Sequence, residues 1–217
     1  MREHYKFTDP TTNKSFRAWF KKSVASKDGK PIVLYHGTAG ARFAAFENSG
    51  LWVKGKRLSP MHFFSNDISV ANTYAGGRGK VEDPVVVIGL HGEDVDWALV
   101  DRPPVFPPGI YRVYLSLQNP YVYDAEGRNW AELSDPRFPK ASLTWDLAQA
   151  AHDAGFDGLI IRNVMDTGPY TKRPKLSDIY VAFQPQQIKS DLVNTGAYSP
   201  KSADMRRNVR RRRTSRQ

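Results

Sequence analysis

The chain has no cysteine. Disulfides, thiolate nucleophiles and cysteine-based zinc sites are therefore excluded, while the compartment stays open because a reducing cytosol suits such a chain without being required by it. It also lacks any apolar run near the ~18 residues that a membrane helix needs. Its start, MREHYKFTDPTTNKSF, carries no apolar core of a secretory signal. A soluble protein acting in the cytoplasm is the expectation. The five histidines, at 4, 36, 62, 91 and 152, show no HExxH-type spacing and give no reason to expect a metal. No Gly-x-Ser-x-Gly elbow is present, and GGRGK at 76–80 lacks the spaced glycines and Lys-Ser/Thr of a phosphate loop.

What is present is enough for one folded domain. At 217 residues, with 40% apolar and 12% aromatic side chains, the chain has material for a substantial core. We expect an N-terminal arm over 1–12, a globular domain over 13–200 and a disordered Arg-rich tail over 201–217. Acid is missing from the last twelve residues, RRNVRRRRTSRQ, which hold seven arginines; without them the net charge of +10 falls to +3. Such a tail suits salt-sensitive, sequence-independent contact with nucleic acid. A targeting signal, an acidic protein partner and a neutral arm are the other readings of the same charge.

The pattern of short elements predicts an α+β domain. Thr12 or Asn13 caps a first helix with Phe16, Trp19 and Phe20 on one face. PIVLYHGT at 31–38 reads as a strand over 31–35 that stops at His36-Gly37-Thr38, where the glycine implies a turn or a close approach. MHFFS, 84–90, the segment from Ile110, 158–162 and 177–183 are further strands. NDISVANTYAGG reads as a helix with Ile68, Ala71 and Tyr74 on one face, stopped by Gly76-Gly77, and ASLTWDLAQAAHDAG as a helix closed by Gly155. The spacing is too irregular for a doubly wound sheet, so a mixed or antiparallel arrangement fits.

Polar groups cluster at strand ends in three places: His36-Gly37-Thr38; Phe63-Phe64-Ser65, followed by Tyr74; and Asp178 opening DIYVAF. Each alone has a plain explanation, as a bonded core histidine, core aromatics and a solvated strand-start carboxylate. Together with FRAWFKKSVASKDGKPIVLYHGT, FAAFE, HFFSNDISVANTYA, YRVYLSLQNPYVYDAEGRNW, AGFDGLIIRNVMDTG and SDIYVAFQPQQIKSDLVNTGAYS, in that order from about Phe16 to Tyr198, the chain resembles ADP-ribosyltransferases of the His-Tyr-Glu class. The likeness is greatest to the domain found in phage and mobile-element polyvalent proteins.

The resemblance implies a split β-sandwich of two small antiparallel or mixed sheets with short flanking helices, and NAD as co-substrate without a metal. It implies that His36 bonds the adenosine ribose and that the Gly37 backbone holds the nicotinamide carboxamide, with Tyr35 and Thr38 beside them. Phe63 stands where the family usually has tyrosine, Tyr74 stacks on the other face of the nicotinamide, and Ser65 lies beside the carboxamide. Asp178, on a match shifted by one residue, takes the place of the family's glutamate, with Asp166 in NVMDTG as the second candidate; His36, Phe63 and Asp178 thus form the expected catalytic set. The activity implied is transfer of a single ADP-ribose to a macromolecular acceptor, protein or nucleic acid. An NAD glycohydrolase toxin and an inactive nucleic-acid-binding protein are the rival readings.

Overall fold

The first helix is set by its cap. In a computed structural model, which describes residues 10–38, 43–53, 55–76, 109–169, 173–191, 194, 196 and 198–205, Asn13 Oδ1 accepts from the N–H groups of Ser15 and Phe16 and opens α1 (Lys14–Phe20). Phe16, Trp19 and Phe20 are buried, as their spacing predicts, against Tyr114 and Tyr198. The next elements are β1 (Ser26–Lys27), β2 (Lys30–Pro31), β3 (Leu34–Thr38), β4 (Trp52–Val53), β5 (Lys56–Arg57), β6 (His62–Ser65) and α2 (Ile68–Tyr74). After them come β7 (Gly109–Leu115), β8 (Tyr121–Asp124), α3 (Thr144–Asp153), β9 (Gly158–Asp166), β10 (Lys175–Ala182) and β11 (Ile188–Ser190). The strand expected over 84–90 lies outside the described residues.

One expected boundary moves. Asp28 and Gly29, at φ 51° and 75°, turn β1 back on β2, the backbone sign that a two-residue hairpin loop requires. That hairpin takes up Pro31, so the strand expected over 31–35 starts later. It also does not stop at His36: β7 offers antiparallel partners along the whole of β3, from Leu34↔Val113 to Thr38↔Gly109.

The main sheet has seven strands in the order β11-β7-β3-β6-β10-β9-β8. β3 and β6 share a single ladder pair, Tyr35↔Ser65, whereas β3 makes five pairs with β7 and β6 makes four with β10. The ladder is therefore split at its middle, and the α+β, ADP-ribosyltransferase-like architecture expected from the sequence is the one observed. β8 and β9 run parallel, so a crossover must join them, and α3 lies in it.

Alternation along β9 divides the core. Leu159 and Ile161 face the cluster that includes Leu147 and Ala151 of α3, while Ile160 faces the cluster of Leu34, Val113 and Ile188. This is the two-residue period of a strand with both faces covered. Each fully buried aliphatic side chain contributes about 1.5–3 kcal/mol relative to exposure.

Residues 202–205, which the sequence reading places in the tail, pack on the fold. Met205 is 1% exposed and belongs to the Leu34 cluster. Its N–H donates to Ala44 O at 3.0 Å and its carbonyl accepts from Ser190 N at 3.2 Å. Lys189, fully buried, donates its ammonium to the carbonyls of Ser202 and Asp204. An apolar side chain and a buried cation thus hold 202–205 to the fold. Among the described residues no helix is long and apolar enough to cross a membrane, and no group of acidic and histidine side chains is arranged to hold a metal.

Candidate active site

The split between β3 and β6 opens into a cavity of about 680 Å³. β3 contributes Tyr35, His36 and Gly37; β6 contributes His62, Phe63, Phe64 and Ser65; α2 contributes Val70, Ala71 and Tyr74. The end of β9 and the loop after it add Asp166, Thr167, Gly168 and Pro169. Of the residues expected at the site, Thr38 and Asp178 are not in its wall; the other expected ones are.

His36 is held in one tautomer. Its Nδ1 lies 2.8 Å from Phe63 O, and a carbonyl can only accept, so Nδ1 carries the proton and Nε2 is left as an acceptor. The ring is packed by Phe46 at 5.0 Å and Phe64 at 5.6 Å between centroids. Burial lowers its pKa below the ordinary 6.5, outweighing the Phe63 carbonyl, so the imidazole is neutral near pH 7. His62, half-buried beside it, is pushed down to about 4 by burial and by the neighbouring His36. Its Nε2 is buried without a hydrogen-bond partner.

Gly37 is required by helix packing. A Cβ there would stand 1.7 Å from Ala71 O, which leaves room for glycine alone where α2 crosses β3. The close approach expected from the sequence is thus to a helix backbone. α2 itself is opened by Asp67, whose Oδ1 accepts from Ser69 N and Ser69 Oγ, and which pairs with Lys175 of β10 at 2.5 Å. Ser65 Oγ accepts from Asp67 N at 3.0 Å. Phe63 is half-buried and packs on the larger core cluster.

The two candidate carboxylates part company. Asp178 sits at a bulge between Ser177 and Ile179, where its Oδ1 accepts from Asn163 N at 3.0 Å and its backbone exchanges bonds with Asn66. The next residue, Ile179, stands opposite Ser65 and lines the cavity instead. Asp166, 5% exposed, accepts from Tyr74 Oη and from Thr167 N, each at 2.8 Å and both on Oδ1. Burial raises its pKa, partly offset by those two donors. Tyr74 is 39% exposed yet turns its hydroxyl inward to this carboxylate; burial and the Asp166 charge push its pKa up. Among the described lining residues Asp166 is the only acid, and there is no lysine or arginine.

A further part of the wall was not expected. Leu51, Met61, Trp130, Thr144 and Trp145 extend the cavity on the β9 side, with the two indoles 5.3 Å apart and tilted by 45°. Two tryptophans fifteen positions apart, of only five in the chain, were the available signal. Their spacing fits no helix or strand face, because Trp130 lies in a loop and Trp145 opens α3.

The sheet is thus split over a cavity, with a tautomer-fixed histidine on one side and paired aromatics and a carboxylate on the other. The chain belongs to the family of ADP-ribosyltransferases in polyvalent proteins, whose family model matches residues 26–198. No curated protein and no solved structure matches it significantly. ADP-ribosyltransferase domains use NAD as co-substrate, and an acceptor follows from the family.

Proposed function

We propose that the protein is a mono-ADP-ribosyltransferase that cleaves NAD to nicotinamide and transfers ADP-ribose to a macromolecular acceptor. The observation that carries this reading is the meeting of His36, Gly37, Phe63, Ser65, Tyr74 and Asp166 around one cavity at the split of the sheet. His36 Nε2 accepts a hydroxyl of the adenosine ribose, which a neutral, Nδ1-protonated ring does without rearrangement. The Gly37 backbone and Ser65 take the carboxamide. Phe63 and Tyr74 offer ring faces to the nicotinamide, worth about 0.5–1.5 kcal/mol per stacked pair beyond the area buried.

Breaking the nicotinamide glycosidic bond builds positive charge on the ribose, as in glycoside hydrolysis, and a fixed anion lowers that barrier. We assign the anion to Asp166. It lines the cavity, its Oδ1 is held by Tyr74 and Thr167, and its Oδ2 is the oxygen for the ribose hydroxyl. Asp178 is bonded to Asn163 outside the wall. The single-unit product fits a site with phenylalanine at 63 and no glutamate in its described wall.

The test is nicotinamide release from NAD tagged on its adenine, with and without cell lysate. Release with the tag on a macromolecule, reduced in Asp166→Asn, supports transfer; release with no macromolecular tag indicates water as the acceptor; absence of release overturns the reading.

A further inference from the structure

Resting on that reading, we propose that the acceptor is an unpaired nucleobase of a single-stranded nucleic acid, received at the tryptophan end of the cavity.

The cavity has two chemically different sides. His36 stands on β3, whereas the Trp130 N–H donates to Met165 O on β9, so β6 and β10 lie between them. Beside β9 the wall is Leu51, Met61, Trp130 and Trp145, with Ile179 toward the middle and Thr144 as its hydroxyl. The one charged lining residue on this side is Asp166 at the end of β9, with Oδ1 bonded to Tyr74 and Thr167 and Oδ2 assigned above to the ribose. With that carboxylate engaged by the ribose, a lysine, arginine or glutamate acceptor entering among Leu51, Met61 and the two indoles would be desolvated without a partner, which is costly. A neutral planar heterocycle loses less water and gains stacking on the indoles.

A second observation names the polymer that carries the base. Residues 206–217 hold seven arginines and no acid, and they follow directly on Met205. Met205 is bonded to Ala44, and Asp204 pairs with Ala45. The same loop carries Phe43 and Phe46, whose rings pack edge-on against His36. Met205, to which this arginine run is attached in the sequence, thus lies beside the loop that packs on His36, and a polycation attached there raises the local concentration of a polyanion near the domain. Single strands are specified because a stacked, paired base cannot enter such a pocket without being extruded.

The transfer balances. The C–N bond between ribose C1′ and nicotinamide breaks, its electron pair leaving with nicotinamide, which departs neutral. A nitrogen lone pair of the base forms the new bond to C1′, and the proton from that nitrogen goes to solvent. No oxidant, reductant or metal takes part.

The experiment uses the full chain and adenine-tagged NAD, with mixed-sequence DNA and RNA oligonucleotides offered single-stranded and annealed, and lysate protein offered separately. Each reaction is read as tag transferred per nicotinamide released. The expected result is tag on the single strands, little on duplexes, and a ratio about tenfold lower in Trp145→Ala and Trp145→Leu, the order expected for loss of one stacking ring. Replacing the seven tail arginines by glutamine should lower the single-strand signal and flatten its salt dependence. Nicotinamide release with tag on protein only, or on nothing, overturns the nucleobase proposal and leaves NAD cleavage standing. Equal ratios in the Trp145 variants overturn the subsite. No release at all overturns the underlying reading and this proposal with it.

Discussion

The two halves of the split sheet differ in what they present. On the β11-β7-β3 side, His36 sits in a shell of rings from Phe43, Phe46, Phe64 and Tyr111 and offers one fixed acceptor. On the β6-β10-β9-β8 side, the wall is a carboxylate at the end of β9, an isoleucine on β10 and a pair of indoles from the crossover. The first side is closed by packing and admits one hydrogen-bonding role. The second is open in chemistry, since its charge and its apolar surface come from loops and strand ends that can change without disturbing the ladder. In the function proposed above these are a recognition half and a reaction half, joined at one ladder pair, Tyr35↔Ser65.

The largest expected effect breaks the joint itself. Gly37→Ala places a Cβ against Ala71 O and should cost about 3 kcal/mol or more, read as a lower urea midpoint at unchanged slope. An unchanged midpoint would show that α2 does not bear on β3. Next is the histidine pair. Above pH 6.5, His62 is neutral in both folded and unfolded chains; between 6.5 and about 4 only the unfolded chain binds the proton. Stability from this group is therefore full above that window and lost as pH falls through it, by about 3 kcal/mol. His62→Phe should flatten the stability curve over that range, and a curve of unchanged slope would remove His62 as the cause.

Smaller effects compare the carboxylates. Asp166→Asn should lower nicotinamide release about 100-fold, ~2.7 kcal/mol, with NAD affinity largely kept. Asp178→Asn should lower it far less, because its carboxylate bonds Asn163 outside the cavity. The opposite ranking would return the catalytic role to Asp178. The smallest change is Tyr74→Phe, which keeps the ring and removes one hydrogen bond to Asp166, about 1 kcal/mol or roughly fivefold in kcat/KM. Tyr74→Ala should cost more, and equal losses would mean that the ring contributes nothing.

Much of the recognition half was legible in the sequence because its signals are local. Tyr35-His36-Gly37 is set by neighbours within a few positions, as are the phenylalanine and serine of HFFS across the split. The start of β3 was misplaced because Pro31 is claimed by a hairpin, and its end because β7 supplies partners from about 75 residues away. The reaction half was less legible. Asp166 closes β9, whereas Asp178, expected at a strand start, is the fourth residue of β10, and only the bulge at Ser177/Ile179 decides that Ile179 rather than Asp178 reaches the cavity. A one-residue step in a strand sends side chains to the opposite face, so an error of one position in the match exchanges a carboxylate for an isoleucine.

The sequence by itself determined the family, the α+β class, the start of α1 at Thr12 or Asn13, its buried face and the concentration of positive charge after Met205, because composition, periodicity and short motifs are properties of contiguous residues. Only the tertiary structure decided that Gly37 answers to Ala71, that Tyr74 holds Asp166, that 202–205 belongs to the fold and that Trp130 and Trp145 meet beside the cavity. Those facts depend on register and crossover, which join residues remote in the chain, and no local pattern records them.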